Sequence, residues 1–238
     1  MTRRRWIADE VSADRASLTG AHAEHLVRVL RARVGQEFDI VTEGVVRRGR
    51  ISSIMDGKVE FELGPEISSS PAPANLTLLL AVFKFDRMEW AIEKAAELGV
   101  SRVVPVIARR TDAHLASAAV KRVERWRRIV VQAAEQSRRT APPELSEPVK
   151  LQAAVSLPGS MKIVLSEAEQ DAGLRDVILA NENASDALLA IGPEGGWTID
   201  ELDLFRKEGW VSASLGPTIL RAETAAIAAV AITTSLLS

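Results

Sequence analysis

From residue 76 onward, apolar runs alternate with segments of helical spacing, and this alternation restricts the possible folds more than any other feature of the chain. Residues 76–83 form a near-continuous apolar run, as expected of a strand covered on both faces. Residues 88–98 repeat apolar side chains at Trp90, Ile92, Ala95, Ala96 and Leu98 and then meet Gly99, the pattern of a helix and its stop. Further strands are predicted at 102–107, 162–165, 187–191 and 211–215, and helices at 120–138, 198–208 and 222–237. Strands and helices in this order imply an α/β fold whose parallel sheet is covered on both faces. In the helix at 120–138, Trp126, Ile129, Val130 and Ala133 form one stripe for burial, with arginines left to face solvent.

The first seventy residues read differently. A helix is expected from Thr19 or Gly20 through Arg31, with Gly35 just beyond its end. Short strands follow at 37–41, 45–51 and 58–63, the last alternating strictly, with turns at Gly44 and Asp56-Gly57. Several short strands with one helix suggest a small barrel. Residues 68–74, all serine, proline and alanine, read as a linker, so domains are expected at 1–70 and 75–238.

Composition removes several function classes. The chain has no cysteine, which excludes disulfides, thiolate metal sites and cysteine nucleophiles. The three histidines, His22, His25 and His114, are too scattered to predict a metal site. The basic start at Arg3–5 has no apolar run behind it, and no apolar stretch is long enough for a bilayer, so a cytoplasmic protein without membrane attachment is expected. Net charge is only −2, yet between 121 and 139 seven basic side chains face two acidic ones. Local patches of this kind attract phosphates.

Two turns concentrate the candidate chemistry. The strand at 187–191 enters Gly192-Pro-Glu-Gly-Gly-Trp197, and Thr198-Ile-Asp-Glu201 then has the form of a capping box. Ligands in open α/β sheets bind at the carboxyl ends of strands. There Gly192, Gly195 and Gly196 let the main chain approach a ligand closely, and Pro193 stiffens the loop. Neither a dinucleotide fingerprint nor a phosphate-loop lysine is present, so the loop signals a ligand without naming it. The second turn, Gly216-Pro-Thr-Ile-Leu-Arg-Ala-Glu-Thr224, places Arg221 and Glu223 ahead of an alanine-rich helix. Leu215, Ile219 and Leu220 there are ordinary core candidates one by one. The plainest reading of the charged pair is a local ion pair at the helix start.

Taken jointly, Gly192-Pro-Glu-Gly-Gly-Trp-Thr198 and Ser214-Leu-Gly-Pro-Thr-Ile-Leu-Arg-Ala-Glu-Thr-Ala225 resemble the paired cofactor motifs of the RsmE family of ribosomal RNA methyltransferases. Lys84, Glu93-Lys-Ala-Ala-Glu-Leu-Gly-Val100, Ala133-Ala-Glu-Gln-Ser-Arg138 and His25-Leu-Val-Arg-Val-Leu-Arg31 match in the same order, across most of the chain. The resemblance implies an amino-terminal PUA-like β-barrel, a carboxy-terminal SPOUT domain with a trefoil knot, and a homodimer. It implies S-adenosylmethionine as cofactor and methylation of N3 of a uridine in 16S ribosomal RNA or the small ribosomal subunit. Leu165, Ile191, Gly192, Gly196, Leu215, Gly216 and Leu220 carry over as cofactor-binding, and Pro193, Gly195, Ile219 and Thr224 are counted with them.

Methyl transfer to a uracil nitrogen requires alignment, loss of a proton and stabilisation of charge on the base. Arg221 is the first candidate cation and Arg138 the second, with phosphate binding an equal role for Arg138. Glu223 is a third catalytic candidate, either accepting the proton or, the favoured role, orienting Arg221, and Glu194 is expected to accept a backbone hydrogen bond. For RNA contact the candidates are His25, Arg28, Arg31, Lys84 and Arg138, with Arg28 and Arg31 on one helical face. Arg3–5, Arg47, Arg48 and Arg50 add to them, and Trp6 is either an exposed stacking ring or a core residue. Competing readings are a SPOUT enzyme acting on another base or on ribose, a non-catalytic RNA-binding relative, and a nucleotide-dependent enzyme, the last weakened by the missing phosphate motifs.

Overall fold

The computed structural model describes residues 5–55, 57–67 and 75–237. The expected linker at 68–74, together with Arg3, Arg4 and Asp56, lies outside the described residues. The chain forms two compact units, Met1–Pro71 with Ala134–Pro142, and Ala72–Ala133 with Pro143–Ser238.

The amino-terminal unit contains β1 (Arg5–Ile7), β2 (Glu10–Ser12), β3 (Arg15–Thr19), helix α1 (Gly20–Glu24), β4 (Glu37–Thr42), β5 (Val45–Met55) and β6 (Lys58–Ile67). They make one curled sheet in the order β1-β4-β5-β6-β3-β2, with β1 parallel to β4 and every other pair antiparallel. Its core gathers Trp6, Leu18, Leu26, Ile40, Ile51, Val59 and Phe61. The three expected strands are present and longer. The first three strands escape sequence reading because they are short and mix charged with apolar residues, and because the β2–β3 turn uses Ala13 at φ 47°, where no turn signal stands.

The expected helix to Arg31 changes character midway. His25–Val29 is π-helical, Leu30 N–H donating to His25 O at 3.1 Å, and Arg31 lies past the end at φ 52°. Arg28 and Arg31 therefore do not share a helical face, because the wider turn and left-handed exit break the spacing.

The second unit contains β7 (Asn75–Ala81), α2 (Phe85–Glu97), β8 (Arg102–Ile107), α3 (Ala113–Ala119), α4 (Val123–Gln136), β9 (Glu144–Leu145), β10 (Val149–Lys150), α5 (Leu151–Val155), β11 (Met161–Leu165), α6 (Leu174–Leu179), β12 (Asp186–Ile191), α7 (Ile199–Lys207), β13 (Val211–Ala213) and α8 (Ala222–Leu237). The last turn of α4 is counted with the other unit. All strand pairs are parallel, in the order β10-β8-β7-β12-β11-β13 with β9 beside β8. The apolar strands are explained by the two cores they serve. Leu76, Leu78 and Leu80 face one side with Ile163, Leu189 and Ile191, under α2, α4, α6 and α8. Leu79 and Ala81 face the other with Val164, Leu188 and Ala190, under α5 and α7. Strict alternation along each strand thus buries both faces.

The long helix expected at 120–138 begins earlier and is broken. Asp112 caps α3 by accepting from His114 N–H and Leu115 N–H, a tight 3-10 turn at Val120–Arg122 follows, and α4 ends at Gln136 where Arg138 takes φ 61°. The stripe of Trp126, Val130 and Ala133 is buried, with Ile129 packed against it. Trp90, part of the apolar spacing expected at 88–98, is half exposed. No helix among the described residues is long and apolar enough to cross a membrane.

Candidate functional site

The chain leaving the carboxyl ends of β7, β11, β12 and β13 encloses one cavity of about 330 Å³. Its wall comes from Arg87 on α2, Leu165–Glu167 after β11, the loop after β12, and the turn from β13 into α8.

The loop after β12 is held by several independent contacts. Gly196 N–H donates to Pro193 O at 2.8 Å, and Gly196 adopts φ 69°, where a Cβ would stand 2.5 Å from Glu167 Oε1. The buried indole of Trp197 donates from Nε1 to Leu165 O at 3.1 Å, pinning the loop to the end of β11. Its ring also packs edge-on against Phe205. The expected capping box is present, Thr198 Oγ1 accepting from Glu201 N–H while Glu201 Oε2 accepts from Thr198 N–H at 2.8 Å. Glu201 Oε1 also accepts from Arg109 N–H at 2.7 Å, and Arg110 donates to Gly195 O, so the exit of β8 is tied to the same loop. These arginine contacts lie about ninety residues apart in sequence and carry no local signal.

The second turn starts earlier than expected. β13 stops at Ala213, and Leu215 already belongs to the turn. The Ser214 hydroxyl accepts from Gly216 N–H at 3.1 Å and donates to Gly216 O at 3.2 Å, closing the bend on itself.

Every residue expected to bind cofactor lines this cavity except Gly195 and Thr224. Gly195 is turned toward the Arg110 side chain, and Thr224 is exposed within α8. Arg221 lines the cavity and is exposed. Its expected partner is elsewhere: Glu223 is buried, with Oε1 3.7 Å from Arg87 Nε. Arg221 has no ion pair among the described residues, so neither a local pair with Glu223 nor orientation by it holds. Glu194 also meets Arg87, at 2.9 Å from Nη1, and not a backbone donor. Arg87 is the residue that sequence reading missed. Its clue was its place in the first turn of the helix leaving β7, but nothing local pairs it with acids more than a hundred residues away.

The remaining candidates are dispersed. Lys84 is the exposed N-cap of α2 and lies outside the cavity wall. In the amino-terminal unit, His25 packs its ring edge-on to Trp6 at 5.8 Å, and Trp6 is a buried core residue and not an exposed ring. Arg28 is exposed, 4.0 Å from Glu24. Arg138 belongs to this unit too, and its carbonyl accepts from the Arg5 guanidinium. Arg47 and Arg48 are engaged internally, with Asp14 and Asp39. The basic run at 121–139 is also less basic than its composition, because Arg122 and Arg125 converge on Glu89 and Arg127 bridges Glu124 and Glu147.

A parallel sheet with two glycine-bearing turns at its carboxyl edge is here the scaffold of an RNA methyltransferase. The family model described as RNA methyltransferase domain matches residues 70–234, and that of the RNA methyltransferase PUA domain matches 18–64. More narrowly, the chain belongs to the ribosomal RNA small subunit methyltransferase E family. It is 31% identical to that protein of Aquifex aeolicus, over 86% of this chain and 88% of the relative. It is 34% identical to that of Mycobacterium bovis, over 90% of this chain and 84% of the relative. Among solved structures, a ribosomal RNA small subunit methyltransferase E from Neisseria gonorrhoeae bound to S-adenosyl methionine superposes with a TM-score of 0.88 at 29% identity, covering 99% of this chain and 98% of that one.

Proposed function

We propose that this RNA methyltransferase transfers the methyl group of S-adenosylmethionine to N3 of one uridine in 16S ribosomal RNA of the small subunit. The observation that carries the reading is the cavity that the turns after β12 and β13 share. Its size and mixed wall suit a small cofactor, and the solved relative from Neisseria gonorrhoeae is bound to S-adenosyl methionine. The fit is also chemical. Leu165, Ile191, Leu215, Leu220 and Ala225 offer apolar contact for a flat base, while Gly192 and Gly196 bring main chain where a side chain would press on Trp197 or displace the Glu167 carboxylate. Pro193, Gly216 and Ile219 complete this proposed cofactor wall. Bound there, the cofactor supplies a methyl group on a cationic sulfur.

The chain supplies position and charge. Arg221, exposed at the cavity wall with no ion pair among the described residues, is the proposed cation beside the uracil oxygens. Arg138 acts as a second cation or holds a phosphate, and Arg28, Arg31, His25 and Lys84 are the further proposed RNA contacts. In this reading the chain divides into a PUA-like barrel domain at 1–70 and a SPOUT domain at 75–238. The last two motifs form a trefoil knot, and the enzyme works as a cytoplasmic homodimer.

Mass spectrometry of ribosomal RNA from cells with and without the protein tests the reaction. A 3-methyluridine that disappears with the gene and returns with wild type, but not with Arg221→Ala, is the expected result. Loss of a different modification would redirect the target base, and full activity of the variant would remove Arg221 from catalysis.

A further inference from the structure

Among the described residues, Arg87 is the one basic side chain in the cavity wall besides Arg221, and it faces two carboxylates through different nitrogens. Nη1 lies 2.9 Å from Glu194 on the glycine loop, and Nε lies 3.7 Å from Glu223 in the first turn of α8. Glu223 is 4% exposed, and its Oε2 has no hydrogen-bond partner among the described residues. A carboxylate so buried is costly without a cation nearby. Arg87 thus joins the two turns that make the cavity, from a third element that belongs to neither.

We propose that Arg87 is a positioning residue for methyl transfer, one guanidinium clamping the glycine loop to the start of α8 and so fixing the cavity mouth and Arg221. Glu194 is the movable arm of this clamp, being partly exposed, and Glu223 is the fixed arm. Lysine reproduces it only in part, since its compact ammonium must meet both carboxylates from one point, whereas Arg87 reaches them with separate nitrogens. The proposal rests on the reading that this cavity holds S-adenosylmethionine.

The test compares Arg87→Gln, Arg87→Lys, Glu194→Gln and the double variant Arg87→Gln/Glu194→Gln in the full chain. Amide hydrogen exchange across 192–198 without cofactor, and calorimetric titration with S-adenosylmethionine, are the readouts. Arg87→Gln should speed exchange in the loop and weaken cofactor binding about tenfold. Glu194→Gln should act in the same direction, the double variant should be no worse than Arg87→Gln, and lysine should rescue only in part. Steady-state assays should show the loss chiefly in KM for the cofactor. Unchanged exchange and affinity in Arg87→Gln, or strictly additive effects in the double variant, overturn the clamp. If wild type itself fails to bind the cofactor while Arg87→Gln still loosens the loop, the cavity assignment falls and the role in methyl transfer falls with it, leaving only a local tie.

Discussion

At the scale of single residues, the site depends on groups that hold the main chain still. Trp197 does so with one hydrogen bond from its buried indole to Leu165 O. Trp197→Phe keeps a ring against Phe205 but leaves that carbonyl without its donor, at a cost of about 1–3 kcal/mol. Urea denaturation should show this loss, with weaker cofactor binding beside it; a variant as stable as wild type would mean the bond holds nothing. Gly196→Ala is the harsher change. Alanine at φ 69° is strained by about 1–2 kcal/mol, and its methyl group would meet the Glu167 carboxylate. Calorimetry should find cofactor binding lost in a protein that still folds. Such glycines were legible in the sequence because chemistry and local pattern coincide there. Arg87 was not, because an ion pair spanning more than a hundred residues leaves no trace in local spacing. The same reason explains why Glu223 was assigned to Arg221, its neighbour in sequence, when the fold gives it to Arg87.

At the scale of elements, the sequence was most readable where periodicity and capping agree. α7 begins at its capping box and α8 spans the expected Ala222–Leu237. Thr198→Ala should cost about 1 kcal/mol, measured as a lowered melting temperature, and should loosen the same loop from its other end. Elements were lost where a short segment carries a mixed pattern, as in β1 to β3, or where one inserted residue widens a helix, as at His25–Val29. The start of β12 offers a pH test. Hydrogen bonds from the Ser160 side chain and then its backbone N–H hold the Asp186 carboxyl below its usual value. A depressed carboxyl stabilises the fold above the unfolded value of about 3.9, and that contribution is lost as pH falls through the folded value. Asp186→Asn should therefore lower the melting temperature slightly at neutral pH and by progressively less as pH falls below the unfolded value, the effect kept small by solvent exposure. An equal loss at both extremes would exclude the charge as its source.

At the scale of the whole chain, the organisation differs from a simple cut at the linker. The amino-terminal unit is discontinuous: it takes Ala134–Pro142 from the far half of the sequence. Ala134 and Glu135 are both buried, and His22 Nε2 lies 3.5 Å from Glu135 Oε1, with His22 Nδ1 3.1 Å from Asp9. A fragment of residues 75–238 keeps the parallel sheet and both its cores but strips this returning segment of the strands and helix it belongs with. Uncovering a buried carboxylate beside apolar surface favours aggregation and local unfolding of the last turn of α4. The fragment should accordingly melt below the full chain and show rapid hydrogen exchange at 134–142, while amides of β7 and β12 stay protected. His22→Ala in the full chain removes the imidazole beside Glu135 together with its edge contact to Trp6, and should accelerate exchange at Glu135 with the parallel sheet unchanged. Slow exchange at 134–142 in the bare fragment would mean that the segment is held by its own helix, and the amino-terminal unit would then be continuous after all.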